Sequence, residues 1–418
     1  MDLLEGYEIL LGTYEAFLMG YQVKPLEYMG KELSAKKELR TSFANHAHSA
    51  SVRSIVAGDK YLVSAGGDEN VKIFNLRNRT EHGALTHSDG VINCMLFYDK
   101  RHLITASEDG KICVLKTSSG WNVEITLSKH KAGVTDLALH PSGKLMLSIG
   151  KDAKLITWNL IKGRSAYVTN LHENADFVRW SPSGNYYVVG FFKRLDVYSV
   201  STAAIEISLP FSGRLNDVVF LDDVTIAVAG EMSQIEIHSI VSKSIITKFE
   251  AHTNRVRCMS LISNENSSEG GSGDQCLVTA SNDGLVKIWK VNKKPLDASS
   301  NANEGGFQFT FDIIEEGKVD TKCRITCLKV HKVPQVVTET TNPVKKKKSA
   351  EIVKDNSEKE KKPKVQIKEP LVELPESSEP NLKKSKITVK DEMIQETENK
   401  HSNEDTVKIP SKKKKRKK

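Results

Sequence analysis

Short apolar runs, mostly β-branched, recur along the first three quarters of the chain, and small polar clusters cut them at close spacing. Val134–Leu139, for example, is followed by Pro141, Ser142 and Gly143 and then by Lys144–Ser148. That reads as strand, tight turn, strand. Tyr7–Thr13 and Ala16–Val23 read as a further pair of strands. The longest apolar run, Tyr186–Phe192, is far too short to cross a bilayer, and Met1–Glu5 lacks the basic start and cleavage site of a signal peptide, so a soluble intracellular protein is expected.

Within these runs one signature returns four times. Ser64, Thr105, Ser148 and Thr279 are each followed four residues later by an aspartate: Asp68, Asp109, Asp152 and Asp283. Six residues after each aspartate comes a bulky strand residue, in order Phe74, Leu115, Trp158 and Trp289. A histidine precedes each set: His48, His87, His130 and His252, spaced by 39, 43 and 122 residues. The last gap spans two degenerate copies, and a period of about 40–45 residues in this order marks a β-propeller blade. Repeats run over 46–85, 86–128, 129–170, 171–209, 210–250 and 251–292. Strands left over at both ends, in 7–23 and about 307–331, predict a further blade shared by the two termini. The expected fold is therefore all-β, a seven-bladed propeller over residues 1–331. Such a ring has no exposed sheet edge.

The sixth repeat is interrupted by Asn264–Gln275, rich in Ser and Gly, which reads as a surface loop. Beyond residue 331 the strand pattern fails. Residues 332–418 hold 24 Lys/Arg and 15 Asp/Glu with almost no aromatics, and read as a disordered lysine-rich tail that cannot bury enough apolar area to offset chain entropy. The remaining 331 residues hold 37 basic and 38 acidic residues, so no global charge draws the propeller onto nucleic acid. Six cysteines (Cys94, Cys113, Cys258, Cys276, Cys323, Cys327) fit no disulfide framework and read as buried thiols in a reducing compartment.

The repeated residues have a structural chemistry. An aspartate in a tight turn accepts from turn amides and from an imidazole, and a Ser or Thr hydroxyl can bridge that imidazole to an indole. His130, Ser148, Asp152 and Trp158 are expected to form one such network, and His252, Thr279, Asp283 and Trp289 another. His48, Ser64 and Asp68, and His87, Thr105 and Asp109, form weaker ones, because Phe74 and Leu115 lack the last donor. The residue order superficially resembles a hydrolase triad, but a nucleophile site would occur once and need an oxyanion hole. A P-loop, a His-Glu-x-x-His motif and a dinucleotide fingerprint are all missing from the sequence. No catalytic residue, metal or cofactor is expected.

Three lysine clusters punctuate the tail. Lys345, Lys346, Lys347 and Lys348 form the first. Lys361, Lys362 and Lys364 form the second, and Lys412, Lys413, Lys414, Lys415, Arg416, Lys417 and Lys418 the third. They read as nuclear-import signals or as sequence-independent, salt-sensitive RNA contacts. In the propeller, Arg53, Lys131, Arg255 and Arg257 follow or lie near the blade histidines and are candidates for a partner-binding rim.

These repeats resemble WD repeats, and several stretches are similar to the PAK-interacting protein 1-like family of nucleolar WD-repeat proteins. The carrying segments include Glu81–Leu85 before His87, Arg101–Ile104, His140–Leu145, Thr157–Leu160 with Gly163–Ala166, Trp180–Pro182, Ala227–Gly230 and Ala251–Val256. The resemblance covers about residues 7–331. It implies a scaffold in assembly of the large (60S) ribosomal subunit and pre-rRNA processing in the nucleolus. Its partners would be pre-60S assembly factors and ribosomal proteins, with rRNA contact through the tail, and a monomer is expected outside such complexes. It also implies binding and restraint of p21-activated kinases. The fourth and fifth repeats depart from the pattern: Phe192 and Met232 stand where the turn aspartate would be, and His238 replaces the tryptophan. A ubiquitin-ligase receptor would carry Trp-Asp-x-Arg after a blade strand. Here Phe74–Arg77 matches only in part, and neither Trp158 nor Trp289 is followed by Asp.

Overall fold

A computed structural model describes residues 3–4, 6–24, 37–263, 275–295 and 309–333. The insertion after Ser263 and the lysine clusters of the tail lie outside them. The chain divides into two units, 1–340 and 341–418, and only the first contains described residues.

The described chain forms seven four-stranded antiparallel sheets. Six are built from consecutive strands, within residues 52–85, 92–127, 134–170, 177–210, 215–250 and 256–320. Their innermost strands contact one another in succession, and Ile325–Lys332 of the seventh sheet touches the innermost strands of both the sixth and the first, which closes the ring. Burial follows position. Second strands such as Thr225–Gly230 are covered on both faces and read as unbroken apolar runs, whereas outermost strands such as Ala204–Pro210 alternate and are largely exposed. Seven apolar clusters fill the spaces. One joins Leu10 and Leu18 of the closing blade to Val52, Leu62 and Phe74 of the first blade.

The closing blade is shared between the termini, but in different proportions from those expected. Its order is Ile325–Lys332, Tyr7–Thr13, Phe17–Lys24, Glu38–His46: one C-terminal strand inside three N-terminal ones. The segment near 307–313, assigned from sequence to this blade, belongs instead to Phe309–Asp320, which pairs along its length with Leu285–Pro295 as the outer strand of the sixth blade. A neighbouring hairpin costs less loop-closure entropy than a distant pairing, so the sixth blade takes the strand next to it in sequence. Glu38–His46, which reads as a polar lead-in, is an outermost strand with mostly exposed side chains.

Candidate functional site

The signature residues sit where the second strand, the turn after it and the loop entering each blade meet. In the third blade they form a continuous chain. His130 Nδ1 lies 2.9 Å from Asp152 Oδ1, His130 Nε2 lies 2.7 Å from Ser148 Oγ, and Trp158 Nε1 donates to Ser148 Oγ at 2.8 Å. Asp152 also accepts from the Lys131 amide at 3.1 Å. Burial works against the charged Asp152, but the His130 ring and the Lys131 amide outweigh it and hold the carboxyl below its ordinary value. The first blade repeats the arrangement without an indole: His48 Nδ1 is 3.0 Å from Asp68, and His48 Nε2 is 2.8 Å from Ser64.

The second and sixth blades are wired differently. His87 and His252 keep their contacts to Thr105 and Thr279, each at 2.8 Å, and Trp289 donates to Thr279 at 3.0 Å. Neither histidine reaches its aspartate, and Nδ1 of each has no hydrogen-bond partner. The four-residue network expected of His252, Thr279, Asp283 and Trp289 is therefore a three-residue one. Asp109 instead takes the Ser107 hydroxyl and the Lys111 amide, and Asp283 takes the Leu285 amide at 3.0 Å. Asn282, the turn residue just before Asp283, is half-buried and accepts from Arg324 Nε at 2.7 Å.

The residue two before the aspartate explains the division. It is Gly66 and Gly150 where the bond forms, and Ser107 and Ser281 where it does not. A Cβ on Gly66 would lie 2.5 Å from His48 Nδ1 and 2.4 Å from Asp68 Oδ1; on Gly150 it would lie 2.7 Å from His130 Nδ1. Those separations are too short to exist, so any side chain here pushes histidine and aspartate apart. A glycine at this place was the sequence signal that marks a His–Asp bond.

The degenerate blades carry other polar pairs that the sequence reading missed. Asp196 accepts from Ser208 at 2.5 Å and from Arg194 at 3.1 Å. Glu236 is bonded to His238 at 3.0 Å and to Lys248 at 2.7 Å. Around the channel, Arg179 of the fourth blade reaches Asp136 of the third and, at 3.2 Å, Asp217 of the fifth. Asp136 also accepts the Val178 amide and Asp217 the Met259 amide, each at 3.0 Å, so each carboxylate ties its blade to the next. Burial opposes a charged Arg179, yet its two carboxylates keep its pKa above the ordinary value.

Ser64, Ser148 and Thr279 are fully enclosed. A hydroxyl sealed beneath its own sheet and already bonded to a histidine can brace a blade but cannot meet a substrate. No group of His, Cys, Asp and Glu suited to a metal occurs among the described residues. Of the rim candidates, Arg53, Arg255 and Arg257 line a single depression of about 330 Å³ together with Arg214 and Arg324. Lys131 does not line it; its side chain is exposed, and its amide belongs to the Asp152 network.

Comparison with known proteins agrees with this architecture. The model described as "WD domain, G-beta repeat" matches residues 80–115, 121–159 and 243–290. Each match starts at or one residue before the outermost strand of one blade and ends in the third strand of the next, so the repeat in sequence is offset from the blade in space. The chain is 35% identical to the p21-activated protein kinase-interacting protein 1-like protein of Danio rerio over 322 residues, 77% of this chain and 79% of the relative. To the Xenopus laevis protein of the same description it is 36% identical, over 78% of this chain and 82% of the relative. Protein MAK11 of Saccharomyces cerevisiae is 24% identical over 69% and 78% respectively.

Proposed function

The chain belongs to the p21-activated protein kinase-interacting protein 1-like family of WD-repeat proteins, and from that premise we propose that it is a non-enzymatic scaffold in assembly of the large ribosomal subunit. It acts in pre-rRNA processing in the nucleolus, holding pre-60S assembly factors and ribosomal proteins on the loops of a rigid disk. The observation that carries this reading is the likeness to family members across the whole propeller, since that family resemblance implies the role. Two features support it. The hydroxyl–histidine sets are enclosed and serve blade cohesion rather than turnover. The lysine clusters at 345–348 and 412–418 supply a route into the nucleus and a sequence-independent hold on rRNA.

Depletion of the protein should lower large-subunit levels and leave small subunits in relative excess on sucrose gradients. An unchanged subunit ratio after complete depletion would reject the reading. A second reading, restraint of a p21-activated kinase by direct binding, is favoured by the names its relatives carry. Purified full-length chain that lowers the activity of such a kinase, with no subunit imbalance on depletion, would put this second reading first.

A further inference from the structure

We infer that the rim where the ring closes is a binding site for single-stranded RNA, with arginines at the phosphates and Tyr14 beside a base. This deepens the assembly reading and rests on it only in looking for the polymer among ribosomal precursors; the chemistry comes from the geometry below.

Six of the seven innermost strands carry a β-bulge at their second residue, which is skipped in the pairing with the next strand. These residues are Arg53, Asn93, Thr135, Asn216, Arg257 and Thr326. All six line one mouth of the central channel, because a bulge re-aims its side chain out of the sheet. In three of the other blades the polar side chain is engaged locally. Asn93 and Asn216 donate to the next blade, at 2.8 and 2.7 Å, and Thr326 donates to Gly12 at 3.0 Å. Arg53 and Arg257 make no such bond, and neither they nor Arg255 has a carboxylate within ion-pair distance among the described residues. They flank the closing blade, from the first and sixth blades.

The depression they share with Arg214 and Arg324 contains five guanidinium groups and no carboxylate. Its other polar lining is Ser51, Asn282 and Thr326, and Tyr14 stands on its edge, 57% exposed, with Arg324 over its ring at 5.1 Å. Arg214 is paired with Asp176 at 3.4 Å and Arg324 donates to the neutral Asn282, whereas Arg53, Arg255 and Arg257 have no ion pair among the described residues, so cations gathered here repel one another and an anion is the occupant that relieves them. Guanidinium forks match phosphate oxygens in pairs.

A polymer fits better than a single phosphate. Arg53, Arg214, Arg257 and Thr326 also line a second depression of about 470 Å³ at the channel mouth, where Lys151, Arg179 and Arg214 are paired with Glu108, Asp217 and Asp176 and Arg53 and Arg257 are left over, so an excess of positive charge continues past the first pocket. An exposed aromatic ring beside a phosphate track is what an unpaired base stacks on. A phosphorylated peptide would use the arginines and leave the ring and the second depression without a task.

The test uses the full chain and a short fluorescein-labelled oligouridine, followed by anisotropy over a salt series. The tail contributes equally to every variant, so differences report the disk. Combined Arg53→Gln, Arg255→Gln and Arg257→Gln should weaken binding at least roughly tenfold and flatten the slope of log affinity against log salt by about 2, the share of three phosphate contacts on a single strand. Arg→Lys at the same three positions should keep most of the slope. Tyr14→Ala should weaken binding roughly tenfold with the slope unchanged, as loss of stacking does. Lys131→Gln, outside the depression, should change little. A triple Gln variant with wild-type melting, affinity and slope would overturn the site. So would a phosphoserine peptide that binds the wild type, fails on the triple variant and leaves oligouridine binding untouched. Co-sedimentation of the same variant with large-subunit precursors separates the two proposals: wild-type RNA affinity with intact co-sedimentation rejects the site and spares the assembly reading.

Discussion

The third and sixth blades both carry the histidine, hydroxyl, aspartate and tryptophan of the signature, the last three at the same spacing, yet only the third joins all four. His130 is bonded on both ring nitrogens, to Ser148 and Asp152. His252 is bonded on one, to Thr279, and its other nitrogen faces no partner. The difference lies in a residue outside the signature: Gly150 in one blade, Ser281 in the other. Ser281 has a place of its own, donating to the Arg255 carbonyl at 3.2 Å and leaving Asp283 to the turn. What a repeat motif names is a set of residues that can bond; whether they do is decided by the steric room between them.

The electrostatic consequence is sharpest at His252. Burial, and then the nearby Lys287 ammonium, push its pKa down to about 4. In the unfolded chain it titrates near 6.5, so the folded state refuses a proton that the unfolded state takes up between those values. Stability from the neutral ring is fully present above pH 6.5 and is lost as pH falls toward 4. The loss should reach about 3 kcal/mol at the acid end, at about 1.4 kcal/mol per pH unit. Denaturant midpoints at pH 7 and pH 4.5, compared between wild type and His252→Gln, isolate this contribution; parallel acid losses in both proteins would remove His252 from the account.

A smaller effect is expected from breaking the third blade. Gly150→Ala and Asp152→Ala should each cost about 1–3 kcal/mol, the range for a buried group left without its hydrogen bond. Both act on the same bond, so the double variant should cost clearly less than the two losses added together. Additive losses in a thermal or urea melt would mean that Gly150 is required for some reason other than room for the His130–Asp152 contact.

The smallest effects belong to the sixth blade. Asp283→Ala removes a turn contact from a half-buried carboxylate and should cost about 1 kcal/mol or less, well below Asp152→Ala. Ser281→Gly exchanges one hydrogen bond for another and should leave the melting temperature nearly unchanged, while letting Asp283 swing to His252. The readout is the His252 titration followed by NMR, which should move up from its depressed value. A His252 pKa that stays depressed would show that distance, not the Ser281 side chain, keeps the pair apart.

The fourth and fifth blades extend the comparison. Lacking the turn aspartate, they carry Asp196 with Ser208 and Arg194, and Glu236 with His238 and Lys248. Each is a buried or half-buried carboxylate on the third strand, neutralised by a neighbour on the same blade. A buried carboxylate inside a blade is thus neutralised by whichever pairing the local strands supply.

The sequence by itself determined the blade count, the strand–turn rhythm and the hydroxyl–indole contacts. Ser148 and Trp158 lie diagonally across one hairpin, where Met146 pairs with Trp158 and Ser148 with Ile156, so a spacing of ten residues places them together whatever the rest of the ring does. The histidine partners of the aspartates were named from the same pattern, and the bond forms in the first and third blades but not in the second and sixth, because it depends on the room left beside the turn when the loop before the blade packs against it. Only the tertiary structure decided that Phe309–Asp320 completes the sixth blade and that Ile325–Lys332 closes the ring alone. A polar outermost strand such as Glu38–His46 has no apolar face to announce it. The tertiary structure alone also brought Arg53, Arg214, Arg255, Arg257 and Arg324 to one depression. Their spacing along the chain carries no period, since they are gathered by the closure of a ring whose first and last strands become neighbours.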